Sequence, residues 1–555
     1  MNPEKTSRMT RRTVLQLVVS ATGLGVLAAC GTPPAAPPAP TPAPPAPTVA
    51  TKAAAPAAPA ATQVAVVTPV AKPAAAPRPG GTLRIGQLGD IVNLEPHFNQ
   101  NTTSESTWLA YDRLTAYDTN FTPRPMLAES WDVSADAKRI KLNLRKGVQF
   151  HSGRELSSDD VKYTFERIRD PKVGVGQFAL QGQWFQTVET PDKYTVILTA
   201  DQPRPLVFDL LESLNIVDRQ TVEGPDAATK SNGTGPFAFV EWVQGDHAAW
   251  AKNKNYWQSG KPYLDTVQTM FFKDSTAMTL QLESGAVDAI RFPSKPDFAR
   301  LSTNPSFKGL TYPANVSAYA VGAAVYTPPL DKKRVRQALS YAIDRKRFVD
   351  VILKGVGAPM SLPWAEGFPM YEASKANQYT FDLDKAKSLL SQEGITDLRL
   401  DMLPSPTYPE GSDFCQMYQA DLAKIGVTLD IINLEQATWS DQVNNRKYRH
   451  LYFAASILNL SPGTIFSVSR PIGPRNNNEG FETEQYTKLV NDLTLEADPQ
   501  KLKQIYAQLN DILLDESFFM FMSPNAVLMV TRANVQDVLP HLRGGWQLTD
   551  TWLGS

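Results

Sequence analysis

The chain has 555 residues, with 55 Lys+Arg against 56 Asp+Glu and a formal net charge of -1. That length can bury more than one hydrophobic core. No basic domain stands out, which argues against nucleic acid as a partner.

The first thirty residues read as an export signal. Arg11-Arg12 precede an apolar run from Val14 to Ala29, which ends in Leu27-Ala28-Ala29-Cys30. The order is basic region, apolar region, small-residue cleavage site. It resembles a bacterial lipoprotein signal, residues 1–29, in which cleavage before Cys30 frees the thiol for lipidation; the arginine pair resembles the twin-arginine variant. Two alternatives stay open. The run could be an uncleaved anchor, although it is shorter than the ~20 residues of a spanning helix. The arginines could be an ordinary basic n-region. Lipidation of Cys30 would leave Cys415 with no disulfide partner.

Residues 30–79 follow as a leash. They are nearly all Ala, Pro, Thr and Val, with Lys52, Lys72 and Arg78 as the charges. Such a segment cannot bury a core, and its prolines favour extended spacer conformations. The folded part is expected from Gly80-Gly81 to Ser555.

In that part, strand patterns recur at Thr82 to Ile85, Ile140 to Leu144, Tyr194 to Leu198, Val267 to Phe272 and Val427 to Ile432. Helical patterns interleave. Over 331–348 the stripe Val335, Ala338, Leu339, Ala342, Ile343 predicts an amphipathic helix, with Asp331 as its cap. Ser412 to Ile425 predicts a second, stopped by Gly426. Asp498-Pro499 opens a third, with Leu502, Ile505, Tyr506, Leu509, Ile512 and Leu513 on one face. Helices alternating with strands imply an α/β fold. Cys415, in the second helical pattern, reads as a small packed hydrophobe.

Catalytic signals are weak. His97, His151, His247, His450 and His541 are scattered, without zinc-like spacing. No nucleophile elbow or phosphate loop is present. Asp159-Asp160 is an acid pair of the kind that helix starts favour. Two distant carboxylates could still serve an enzyme, so that class stays open but unsupported. No cofactor and no metal is expected.

Four stretches carry a resemblance. They are Gly80-Gly81-Thr82-Leu83-Arg84-Ile85 leading to Leu94-Glu95-Pro96-His97; Ala128-Glu129-Ser130-Trp131 with Leu144-Arg145-Lys146-Gly147-Val148-Gln149-Phe150-His151; Gly233-Thr234-Gly235-Pro236-Phe237 with Asn255-Tyr256-Trp257 and Gly285-Ala286-Val287-Asp288; and Pro328-Pro329-Leu330-Asp331 with Val335-Arg336-Gln337-Ala338-Leu339 and Ala342-Ile343-Asp344-Arg345. In this order and spacing the chain resembles the family 5 extracytoplasmic solute-binding proteins of ABC importers for peptides, nickel and some oligosaccharides. Most of these residues read as structure. Trp131 and Phe150 are expected in a core, His151 as a hydrogen-bonded histidine and Arg336 as a paired charge.

The resemblance implies a two-lobed periplasmic-binding-protein fold, class II and of the large three-domain variety, with a hinge and an interlobe cleft. Lobe 1 would span 80–316, with an inserted subdomain at about 117–232. A hinge crossing would follow at 317–325, lobe 2 at 326–519, and a return crossing at 520–555. The implied function is non-covalent capture of a solute in the cleft and delivery to ABC permease subunits. The protein would be monomeric, extracytoplasmic and membrane-anchored through Cys30.

Peptide binders of the family carry a lobe 2 aspartate for the ligand's amine, shortly before an acidic-Pro pair. The matching stretch, Leu451 to Ser469 around Ser461-Pro462, holds no charge. Burying an ammonium without a counter-charge costs several kcal/mol. A neutral polar ligand, such as an oligosaccharide, therefore fits this stretch better than a free peptide N-terminus. Glu435 and Asp441 are the acids that could substitute. Ala323-Ala324 is a second departure, where the family commonly has Asn. The candidate ligand contacts are Asn99, Asn101, Thr102 and Trp108 after the first strand, and Trp439, Ser456 and Asn459 in lobe 2. For each aromatic, core packing competes with ligand contact. A nickel-type role lacks a local ligand cluster. Two other readings are a ligand sensor for a signalling receptor, separable by co-purification, and an extracytoplasmic enzyme, separable by product recovery.

Overall fold

The computed structural model describes residues 76–97, 107–118, 121–170, 172–173, 177–311, 317–364, 366–457, 461–474, 477–540 and 545–554. The export signal, Cys30 and all but the end of the leash lie outside the described residues.

The first predicted strand forms as Thr82–Leu88. It runs parallel to Thr266–Phe272 on one side and to Ala289–Arg291 on the other. Antiparallel strands extend both edges to a seven-stranded sheet, in the order 307–311, 528–532, 289–291, 82–88, 266–272, 247–252, 237–243. A four-stranded antiparallel sheet inserts between the first two of these strands in chain order. It comprises Ala128–Val133, Arg139–Leu144, Thr195–Ala200 and Phe185–Asp192. The helix Ser158–Arg169 packs on it. Asp160, in the first turn of that helix, accepts from the Ser157 amide at 2.9 Å and pairs with Arg154 at 2.7 Å. The acid pair is therefore a helix start.

A five-stranded sheet follows, in the order 427–431, 398–403, 451–457, 317–323, 519–524. Its Ser317–Ala323 strand is buried at every position and lies antiparallel to both neighbours. Alternate residues enter two cores. Ala318 and Ala320 join Trp364, Phe466 and Leu509 on one face. Tyr319, Val321 and Ala323 join Leu339, Phe414 and Leu422 on the other. A strand buried on both faces reads as an unbroken run of small and apolar residues, without the alternation of a half-exposed one.

The chain passes between the two larger sheets twice, from Phe307–Thr311 to Ser317–Ala323 and from Phe519–Pro524 to Leu528–Arg532. The Asn525 amide donates to the Ser317 carbonyl at 2.9 Å, so the two passages meet the five-stranded sheet at adjacent points.

The Asp498 cap forms, accepting from the amides of Gln500 and Lys501 ahead of the helix Pro499–Glu516. Ile505, Leu509 and Leu513 of that helix enter the core. The second predicted helix is Glu410–Ala423, with Cys415 fully buried. The helix expected over 331–348 is broken. It runs Lys333–Tyr341, then restarts at Arg345–Arg347 under an Asp344 cap and passes into a π turn, Phe348–Ile352. Asp331 is not its cap, a correction with a local cause. The Leu330 and Asp331 carbonyls accept from Arg336, whose guanidinium also pairs with Glu516 at 2.7 Å. The break comes where Arg345 turns inward and donates to the Ser340 carbonyl in the last turn.

Candidate functional site: the face between the two large sheets

The site is built where the insert meets the unit that holds the five-stranded sheet. The short helix Val207–Ser213 carries Asp209, whose side chain is fully buried. Its Oδ1 accepts from the Tyr117 hydroxyl at 2.9 Å and from the Ser461 amide at 3.4 Å. Its Oδ2 accepts from the hydroxyls of Ser461 and Thr464. Ser461 and Thr464 open the helix Pro462–Val468 of the other unit. Leu206 lies over Gly463, where an added Cβ would stand 2.8 Å from its methyl carbons. Tyr506 approaches from the long helix, its hydroxyl pushed up to about 12 by burial and secondarily by the Asp209 charge.

Aromatic rings continue this boundary. Phe121 meets Phe368 edge-on at 5.1 Å between centroids, and Phe368 stacks on Trp364 at 5.0 Å. Trp364 in turn donates to Asn510 at 2.7 Å. Elsewhere on the boundary, Lys295 of the helix Lys295–Ser302 pairs with Glu410 and donates to the Tyr319 hydroxyl at 2.8 Å.

Asn99, Asn101, Thr102 and Asn459 lie outside the described residues. Ser456 pairs in register with Ala318, and its side chain is not described. Trp108 is half-buried beneath the Arg113 guanidinium, 4.1 Å from its ring centroid. Trp439 is half-buried, faces Tyr452 edge-on at 6.1 Å and donates to the Leu403 carbonyl at 3.5 Å. Trp108 and Trp439 are not brought into contact with each other by any of these interactions. Of the two substitute acids, Asp441 is paired with Lys447 at 2.9 Å, and Glu435 is an exposed residue at a helix start. Besides Glu479, which accepts from Tyr452, an acid that reaches the uncharged stretch is Asp209, which sequence reasoning missed. It lies 252 residues before Ser461, and no local signal announces such a meeting.

His97 and His151 both have hydrogen-bond partners. His97 exchanges hydrogen bonds with the Asn215 carbonyl at 2.9 Å and the Arg167 guanidinium at 2.8 Å, and burial pulls it down to about 4. His151 contacts the Gly235 carbonyl at 3.0 Å. Both fit structural roles. Asp112 receives Trp257, Thr234 and Tyr256, yet burial still pushes its carboxyl up to about 6. Among the described residues, no group of three or more His, Cys, Asp and Glu gathers to hold a metal ion. No helix among them is long and apolar enough to cross a membrane.

Two large sheets joined by adjacent passages, with an insert on the first, define a two-lobed periplasmic-binding-protein fold with an interlobe cleft. AgaA from A. tumefaciens R10, solved in complex with agropinic acid, superposes with a TM-score of 0.69 at 26% identity, over 86% of this chain and 99% of that one. The profile of bacterial extracellular solute-binding proteins, family 5 middle, matches residues 122–469, and the chain belongs to that family. It is 27% identical to heme-binding protein A of Haemophilus influenzae, over 73% of this chain and 79% of that protein. It is also 27% identical to di/tripeptide-binding protein 1 of Pseudomonas aeruginosa, over 77% and 85%. These relatives are named as binding proteins.

Proposed function

We propose that this chain is the extracytoplasmic binding component of an ABC importer, held at the membrane by a lipid on Cys30. It captures an oligopeptide or a neutral oligosaccharide-like solute between its lobes and hands it on unchanged. The observation that carries this reading is the pair of adjacent passages, tied by Asn525 and Ser317. Two neighbouring connections allow one lobe to rotate against the other while each keeps its own core. A solute touching both lobes then stabilises the closed state. Lobe 1 is 80–316 with the chain's end, lobe 2 is 326–519, and the bend falls where the strands leave the five-stranded sheet.

The solute class is read from one stretch of lobe 2. Leu451 to Ser469 brings no charge of its own; Glu479, which reaches it, is buried against Tyr452, and Asp209 is already met by hydroxyls and an amide. A relative that binds di- and tripeptides supports the peptide side of the reading. Asn99, Asn101, Thr102, Trp108, Trp439, Ser456 and Asn459 remain the proposed contacts.

Thermal unfolding of the full chain against free-amine tripeptides, N-blocked tripeptides and neutral oligosaccharides tests this. A solute at about 100 times its dissociation constant adds roughly 2.7 kcal/mol. A shift with neutral or N-blocked solutes is expected. A shift confined to free-amine peptides overturns the neutral-solute reading, and turnover of any solute into a new product overturns the binding reading.

A further inference from the structure

We infer that Asp209 is a clasp contributed by the insert, which holds the lobes together through hydroxyl groups of lobe 2 and sets how readily the cleft opens. This rests on the two-lobed binding reading and deepens it.

The geometry has three parts. Asp209 is fully buried, and the second lobe's Ser461 and Thr464 both donate to it. Tyr117, from its own side, holds the carboxylate in place at 2.9 Å. Gly463, between the two donors, leaves a flat patch on which Leu206 rests, so polar and apolar contacts close together.

The chemistry suits a contact that must open. A buried carboxylate met by hydroxyls forms charge-assisted hydrogen bonds. When the contact breaks, water re-solvates the carboxylate and no buried cation is left behind. An ion pair in the same place would have a second charge to desolvate at every closure. The clasp therefore biases closure modestly and leaves the larger share to the solute. The donors are also spread over two residues, so losing one leaves the other in place.

The carboxylate is not a spare site for a ligand amine. Both oxygens already have donors, and the closest lobe 2 groups are themselves donors.

Hydrogen exchange read by mass spectrometry on the full chain, without any solute, tests the clasp. Two variants break it from opposite sides: Asp209→Ala in the insert, and Ser461→Ala with Thr464→Val in lobe 2. Each is expected to raise exchange about tenfold or more in both segments, 206–213 and 461–468, since hydrogen bonds to a charge are worth that much. The combined variant should exchange no faster than either alone. If each variant loosens only the segment it lies in, or neither segment, the clasp is overturned. The readout needs no solute, so a failure to find one would sink the binding reading and leave this result standing. A solute that binds while exchange is unchanged would do the reverse.

Discussion

The Tyr452 hydroxyl donates to Oε1 of Glu479, and both side chains are completely buried. Oε2 of Glu479 has no hydrogen-bond partner among the described residues. Burial pushes this carboxyl well above its ordinary value of 4.5, and the Tyr452 hydrogen bond and, less so, the Arg446 charge offset that only in part. The group sits at the end of the five-stranded sheet, where its carbonyl accepts from Val325.

Its proton makes stability fall with rising pH. The folded state keeps the proton above pH 4.5, where the unfolded chain gives it up. The favourable contribution is complete below the unfolded value and is lost as pH rises towards the folded one. The slope approaches about 1.4 kcal/mol per pH unit. Asp112, raised to about 6, adds the same sign below that pH, and His97, lowered to about 4, adds the opposite sign below its ordinary value of 6.5. Both proteins share those two groups, so the difference between the denaturant-unfolding slopes of wild type and Glu479→Gln from pH 4.5 upwards isolates Glu479. The variant's slope should be flatter; an equal slope would contradict a raised Glu479 carboxyl.

Arg345 is buried and, among the described residues, has no carboxylate hydrogen-bonded to it. Its guanidinium serves carbonyls: Phe521 at 2.8 Å, Ser340 at 2.9 Å and Met360 at 3.2 Å. Burial lowers its pKa to about 10. Lysine has no planar fork to reach several carbonyls at once. Arg345→Lys should cost about 2–3 kcal/mol, read from the denaturant midpoint, because buried acceptors are left unmet.

Gly233 and Gly235 pass directly against the backbone of Ala110. A Cβ at Gly233 would stand 2.0 Å from the Ala110 carbonyl oxygen, and one at Gly235 2.5 Å from its carbonyl carbon. Backbone cannot swing aside as a side chain can. Gly233→Ala should cost about 3 kcal/mol or more, beyond ordinary overpacking. A melting temperature equal to that of the wild type would contradict this close approach.

Cys415 lies in a core with Phe414 and Tyr418, and burial pushes its thiol pKa upwards. The thiolate is the reactive form. Native protein treated with iodoacetamide should yield an unmodified Cys415 peptide by mass spectrometry, and unfolding should expose it to full modification. Labelling of the folded chain at this residue would show that the helix Glu410–Ala423 opens.

Much of the architecture was legible because local patterns and tertiary demands agree. Thr82–Leu88 and Pro499–Glu516 formed where alternation, caps and apolar stripes placed them. Phe150 and Arg336 took the structural roles read for them. The break at Arg345 was not legible, because its guanidinium serves not only the nearby Ser340 carbonyl but also that of Phe521, distant in sequence. The candidate site was legible only in outline. The absence of charge from Leu451 to Ser469 could be read directly, whereas the carboxylates that come to meet it, Asp209 and Glu479, could not.

Composition, periodicity and motif order by themselves determined the α/β class, the family and the succession of helices and strands. Those properties depend on neighbours within a few residues, or on a pattern carried along the chain. The pairing of Ser317–Ala323 between two later strands, the adjacent passages and the meeting of Asp209 with Thr464 were decided only by tertiary structure. Each brings together groups far apart in the chain, and the burial that makes such a contact favourable does not exist until both sides have folded.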